Sequence, residues 1–175
     1  NKGQAQGLGP KEHAQRLCHI AGFTERASCR LVTGLFSPPR VAAEVRAAAG
    51  AEGGIEAGTS FDLTIDRDTG EPWNFLDASH RRRCWARLKA EDPWVVIGSP
   101  PRAAFSVLNY GLRKNRGDPT HQQRKMTETK FSLIFALGVY AWQMRRGRYF
   151  VHEHPATASS WTLPEVDALR RADGV

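Results

Sequence analysis

Short apolar runs that alternate with longer helix-like stretches predict an α/β fold, with a mostly parallel sheet held between two helical layers. Three observations carry that prediction. Compact β-prone segments recur along the chain as "CRLVTGLF", "GIEAGTSFDLTI", "WVVIG" and "RYFVHEHP". The stretches between them have helical spacing, with capping residues at their starts and glycine or proline at their ends. A stiff turn, Ser-Pro-Pro-Arg, closes two of the apolar runs, at 37–40 and again at 99–102. Proline fixes its own φ and restricts the residue before it, so each copy is a rigid exit from a strand.

The elements follow in order. Residues 1–28 are rich in glycine and glutamine, with a weak helical pattern around "KEHAQRLCHIAGF", and are expected to form a loosely attached extension. The α/β domain is expected over 29–165 and a tail over 166–175. "CRLVTGLF" predicts a buried strand ended by the first corner. "RVAAEVRAAAG" predicts a helix, with Val41 and Val45 one turn apart and Gly50 as its stop. "GIEAGTSFDLTI" alternates as a half-buried strand around Phe61 and Leu63, and "DRDTGEPWNF" supplies a loop. Asp77 and Ser79 open a second helix that must end by Asp92, because Pro93 follows. "WVVIG" has the β-branched density of a strand covered on both faces. Thr127 is expected to cap a third long helix through Met144, burying Phe131, Ile134, Phe135, Leu137, Val139 and Trp142. "RYFVHEHP" predicts a fourth strand and "LPEVDALRRA" a short last helix.

Composition narrows the function classes. The chain has 175 residues, 41% apolar and 25% charged, which suits one folded domain with tails. Lysine and arginine number 25 against 18 acids, for a net charge of +7. That excess, mostly arginine, suits a polyanionic partner such as nucleic acid. Arg81, Arg82 and Arg83 form one cluster, expected to be a solvated helix face. The three cysteines, Cys18, Cys29 and Cys84, are an odd number with no Cys-x-x-Cys spacing, which indicates neither a disulfide framework nor a zinc knuckle and fits a reducing compartment. Cys84 reads as a small buried thiol. No apolar stretch approaches a membrane span and no signal peptide is visible, so an intracellular location, nuclear or cytoplasmic, is expected. The first residue is not methionine, which suggests a piece of a longer chain.

In open parallel sheets ligands bind beyond the carboxyl ends of the strands. Those ends are Ser37-Pro38, Asp62, Ser99-Pro100-Pro101 and Glu153-His154-Pro155. In this order, "LFSPP", "GSPPRAAFS" and "HEHP" resemble the motifs of cytosine-5 DNA methyltransferases, a Rossmann-like class that uses S-adenosylmethionine. The resemblance spans 31 to about 162 and is strongest to methyltransferase-like segments of retroelement-type polyproteins. It implies a three-layer Rossmann-like sheet, truncated relative to a full methyltransferase. It also implies that Phe36 and Ser37 face the cofactor. Asp62 would then hold either the ribose hydroxyls or the adenine amino group. Ser99, Pro100 and Pro101 would floor the base pocket, and Glu153 would grip the pyrimidine.

One residue breaks the pattern: Arg102 stands where the family has its nucleophilic cysteine. That thiolate adds to ring carbon 6. A guanidinium stays protonated and has no nucleophilic lone pair at neutral pH. The resemblance therefore implies a degenerate, catalytically silent domain that retains binding of S-adenosylmethionine or nucleic acid. A non-enzymatic nucleic-acid-binding or assembly module of a polyprotein is the competing class. A third is an amino-group methyltransferase, with Ser99 accepting from the amine and Arg102 stacking on the base. His152 and His154 offer a His-x-His pair with His121 or His80 as a distant third ligand, against the plainer alternative of hydrogen bonds to loops. Trp73, Trp94 and Trp142 read as core anchors, and Trp161 as either an anchor or a stacking platform.

Overall fold

The computed structural model describes residues 30–52, 54–64, 70–106, 118–173 and 175. The expected N-terminal extension, with Cys18 and Cys29, lies outside them. Four strands, β1 (Arg30–Leu35), β2 (Ile55–Phe61), β3 (Val95–Gly98) and β4 (Tyr149–His152), form one sheet in the order β2-β1-β3-β4. All three pairings are parallel. Each connection carries a helix: α1 (Arg40–Glu52), α2 (Ala78–Glu91) and α3 (Pro119–Arg145), with α4 (Pro164–Arg170) after β4. The expected α/β fold with a parallel sheet, a shortened Rossmann-like arrangement, is what the chain adopts.

The path from β1 to β2 runs one way along the sheet, and the paths from β2 to β3 and β3 to β4 run the other. Right-handed crossovers then set α1 on one face and α2 with α3 on the opposite face. Trp85 of α2 meets Phe135 and Trp142 of α3 edge to face, at 6.1 and 5.7 Å between ring centres. Central strand β1 is buried from Val32 to Leu35, as a strand covered on both faces should be. Between β1 and the α2/α3 layer an aromatic core links Phe61, Trp73, Phe75, Phe36 and Phe135. Cys84 is buried in it, and burial pushes its thiol pKa up, which keeps it unreactive.

Several boundaries differ from the sequence expectation, each for a local reason. Helix α1 runs through Gly50 to Glu52. One glycine costs a helix about 1 kcal/mol, too little to stop it, and the chain turns instead at Gly54, whose φ of 112° only glycine readily adopts. Strand β2 stops at Phe61 because the Asp62 carboxylate accepts from the Thr64 amide at 2.9 Å, which bends the chain. Helix α3 starts at Pro119, well before Thr127. Asp118 caps it by accepting from the Thr120 amide at 2.9 Å, and proline occupies its first turn. Thr127 sits inside α3, its hydroxyl donating to the Gln123 carbonyl.

The buried stripe of α3 is also rotated from the expected one. Leu137 and Val139 of the expected set are buried, and Phe135 and Trp142 pack partly buried on the core; Ser132, Leu133, Ala136, Tyr140 and Gln143 join the buried face, whereas Phe131 and Ile134 are 42% and 44% exposed. Tyr140 and Gln143 face the sheet, where the Tyr140 hydroxyl meets His152 Nδ1 and the Gln143 amide nitrogen finds carbonyl partners while its Oε1 stays buried without one. Gln143 donates to the carbonyls of Pro93 and Tyr149, tying the entrances of β3 and β4 together.

Candidate functional site

Register decides which strand ends meet. Leu35 pairs with both Phe61 and Gly98, and Gly98 pairs with His152, so these four residues form one row across the sheet. The residues that follow them are Asp62, Phe36, Ser99 and Glu153. The ladder continues into this outer row, since the Ser99 amide donates to the Leu35 carbonyl at 3.0 Å and the Glu153 amide to the Gly98 carbonyl at 2.9 Å. Neighbouring strands lie about 4.8 Å apart, which sets the four motif residues along one carboxyl-end rim. Their side chains go to different places.

At the second corner they converge. Ser99 Oγ donates to Glu153 Oε2 at 2.6 Å, and Arg102 Nη1 lies 3.7 Å from Glu153 Oε1. The Arg102 and Glu153 side chains are 60% and 53% exposed, so the cluster opens to solvent. Pro100 is buried and Pro101 half-buried beneath it. The Pro100 carbonyl accepts from His154 Nε2 at 2.9 Å, which leaves His154 Nδ1 to accept from the Ser160 hydroxyl at 2.7 Å. His154 therefore bolts the corner to the loop after β4. Burial lowers its pKa, in keeping with a neutral ring.

His152 stands behind this cluster. Its Nδ1 lies 3.2 Å from the Tyr140 hydroxyl, and its Nε2 is buried without a partner. Burial foremost, and next the neighbouring His154, push its pKa down to about 4. His152 and His154 lie 4.7 Å apart between ring centres, yet each is committed to the protein through at least one nitrogen. Among the described residues no three metal-ligating side chains converge. His80, on α2, accepts from the Asn74 amide, and His121 sits exposed near the start of α3. Trp161 donates through Nε1 to the Pro155 carbonyl and meets His152 edge to face, as an anchor does.

The first corner is built differently. Phe36 adopts φ of 57° and is 5% exposed, its ring 4.4 Å from Phe75 and 6.4 Å from Phe135. The residue expected to face a cofactor thus completes the core. Ser37 Oγ donates to the Pro38 carbonyl, and the Pro38 and Pro39 carbonyls accept from the Arg40 and Ala43 amides. Asp62 is buried and spends one carboxylate oxygen on Thr64. S-adenosylmethionine is poorly matched here. A turn that cradles a nucleotide needs backbone amides open to it and small residues for close approach, whereas this turn presents Ser37, Pro38 and Pro39 and lacks two amide hydrogens.

Two contributors escaped the sequence reading. Tyr140 stacks on Phe150 at 4.6 Å and holds His152, and the only signal for it was a tyrosine in an apolar helical run opposite a strand glycine, Gly98. Ser160 had no signal beyond lying downstream of His154. The arginine cluster is also less solvated than expected. Arg81 donates to the carbonyls of Phe75 and Leu76 and covers Phe131, and Arg83 covers Trp73. Among the described residues no helix is long and apolar enough to cross a membrane. No family model, curated protein or solved structure matches the chain.

Proposed function

We propose that this chain is a degenerate, catalytically silent cytosine-5 methyltransferase-like domain that meets a nucleic-acid strand at its second corner. The observation that supports the reading is the Ser99–Glu153–Arg102 cluster. Residue 102, which stands in the nucleophile's place, faces the glutamate that would grip a pyrimidine, as the resemblance implies. The guanidinium offers that carboxylate a countercharge where a thiolate would attack. An exposed arginine at a strand-end rim, on a chain with net charge +7, is suited to phosphate.

The burial of Phe36 favours the non-enzymatic version of this reading, a nucleic-acid-binding or assembly module, over one that keeps the cofactor. The amino-group methyltransferase reading draws less support, because Ser99 Oγ and Arg102 both point to Glu153. Calorimetric titration with S-adenosylmethionine tests the proposal. The expected result is no heat of binding, from protein that binds single-stranded oligonucleotide in a salt-sensitive way. Stoichiometric heat with the cofactor would overturn the non-enzymatic version.

A further inference from the structure

The two faces of the β3–β4 half of the sheet are unequally covered. Phe150 and His152 turn toward α3, where Tyr140 meets both. Alternation then sends Tyr149 and Val151 to the opposite face, where they are 57% and 50% exposed. In β3, Val96 is fully buried and Gly98 lies against Tyr140, so Val95 and Ile97 share the face of Tyr149 and Val151, each in register with one of them. Helix α1 packs on β2 and β1 of that face. What remains is a two-strand apolar face in a parallel sheet, an arrangement that ordinarily lies under a covering layer.

The sequence supplies an occupant. The described chain begins at Arg30, in the strand next to β3, and 29 residues precede it. The Arg30 guanidinium lies 4.9 Å over Trp94, whose ring is 5.2 Å from Tyr149, so Arg30 itself stands at the margin of the open face. That segment carries Ala14, Leu17, Cys18 and Ala21, the i, i+3, i+4, i+7 spacing of one apolar helical stripe, with Ile20 at its edge. Residues 11–23 in helical form would span about 20 Å, and 24–29 can reach about 20 Å when extended. The open face is only about 10 Å wide and 13 Å long, so length and stripe both suffice.

We infer that residues 1–29 dock the Ala14, Leu17, Cys18 and Ala21 stripe on Val95, Ile97, Tyr149 and Val151, completing the second helical layer. This proposal differs from the loose attachment expected from composition, and it does not rest on the nucleic-acid reading.

Cys18 makes the test direct. In the full chain carrying Cys29→Ser and Val151→Cys, mild oxidation is expected to join Cys18 to the introduced thiol within one molecule, while Arg82→Cys, on the outer side of α2, gives no such bond. With Cys18→Ser and Cys29→Ser, alkylation of the thiol introduced by Val151→Cys should speed up about tenfold when residues 1–23 are deleted, matching ~1.4 kcal/mol of docking. If the shortened chain does not fold, Leu17→Asp in the full chain should produce the same acceleration. No intramolecular bond, or equal alkylation rates, would overturn the proposal. So would a bond formed only between molecules, which would make a second copy the occupant.

Discussion

The same tetrapeptide builds two corners that share almost nothing in use. Aligned by sequence, Ser37 matches Ser99; aligned by the sheet, Leu35 pairs with Gly98, so Ser99 stands beside Phe36 and the two copies are one residue out of step. Slip and backbone act together: Phe36 follows the paired row, and its left-handed φ of 57° turns the ring back onto Phe75 and Phe135, the helical layer that Gly98 also faces. The first corner then hands the chain directly to α1 through the Arg40 and Ala43 amides. The second corner follows a glycine, opens into a short 3₁₀ turn (Ala103–Phe105), and gives its serine and arginine to Glu153. Identical turn chemistry thus yields a packing device at one site and a polar cluster at the other. What decides between them is the residue before the serine and the register it imposes.

Substitutions at matching positions sharpen that contrast. The largest effect should come from Phe36→Ala, which empties the centre of the aromatic core and is expected to cost about 3–5 kcal/mol in urea unfolding. A cost below about 1 kcal/mol would mean the first corner is not a packing device. At the equivalent place in the second corner, Gly98→Ala drives a methyl group into the Tyr140 hydroxyl. Overpacking of this kind costs about 1–3 kcal/mol, and Tyr140→Phe, which removes that hydroxyl, should recover part of it.

A third effect belongs to the second corner alone. His152 has its pKa pushed from 6.5 down to about 4 by burial and by His154. Between those values the unfolded chain binds a proton that the folded chain refuses, so stability is full above pH 6.5 and declines as the pH falls toward about 4. Urea midpoints measured across this window should slope for the natural chain and slope less for His152→Asn, the remainder belonging to His154, whose pKa burial also lowers. An unchanged slope in the variant would assign the acid sensitivity to another group. The smallest effect is expected at Ser99→Ala. An exposed hydrogen bond to an exposed carboxylate contributes less than about 1 kcal/mol, so folding should barely change while strand binding weakens.

Much of the fold was legible because the relevant forces are local. β-Branched runs, Asp77 before the second helix, Pro93 after it and proline at the corners each act over a few residues, and α2 and β3 fall where those signals put them. The misplaced start of α3 shows the limit. Asp118-Pro119 is a good cap and first turn, but it sits in a polar, basic stretch whose helical character depends on the long apolar segment that follows. The outer face of α3 misled for a related reason. Phe131 and Ile134 are apolar, and only the position of the sheet decides that Tyr140 and Gln143 are buried in their stead. At the site, the motif order located the rim, and Glu153 with Ser99 and Arg102 did assemble. The inward turn of Phe36 was not readable, since it follows from a left-handed backbone and a register that only the assembled sheet reveals.

The account rests most heavily on Arg102 as the residue that meets a strand in place of a nucleophile. Affinity for a fluorescent single-stranded oligonucleotide, measured over a series of salt concentrations, addresses it directly for the natural chain and Arg102→Ala. The account predicts salt-sensitive binding that weakens in the variant, with the logarithmic salt slope shallower by about 0.7, the value of one lost phosphate contact on a single strand. Folding stability should stay within about 1 kcal/mol. Equal affinity and slope for the two proteins, or no binding by either, would contradict it.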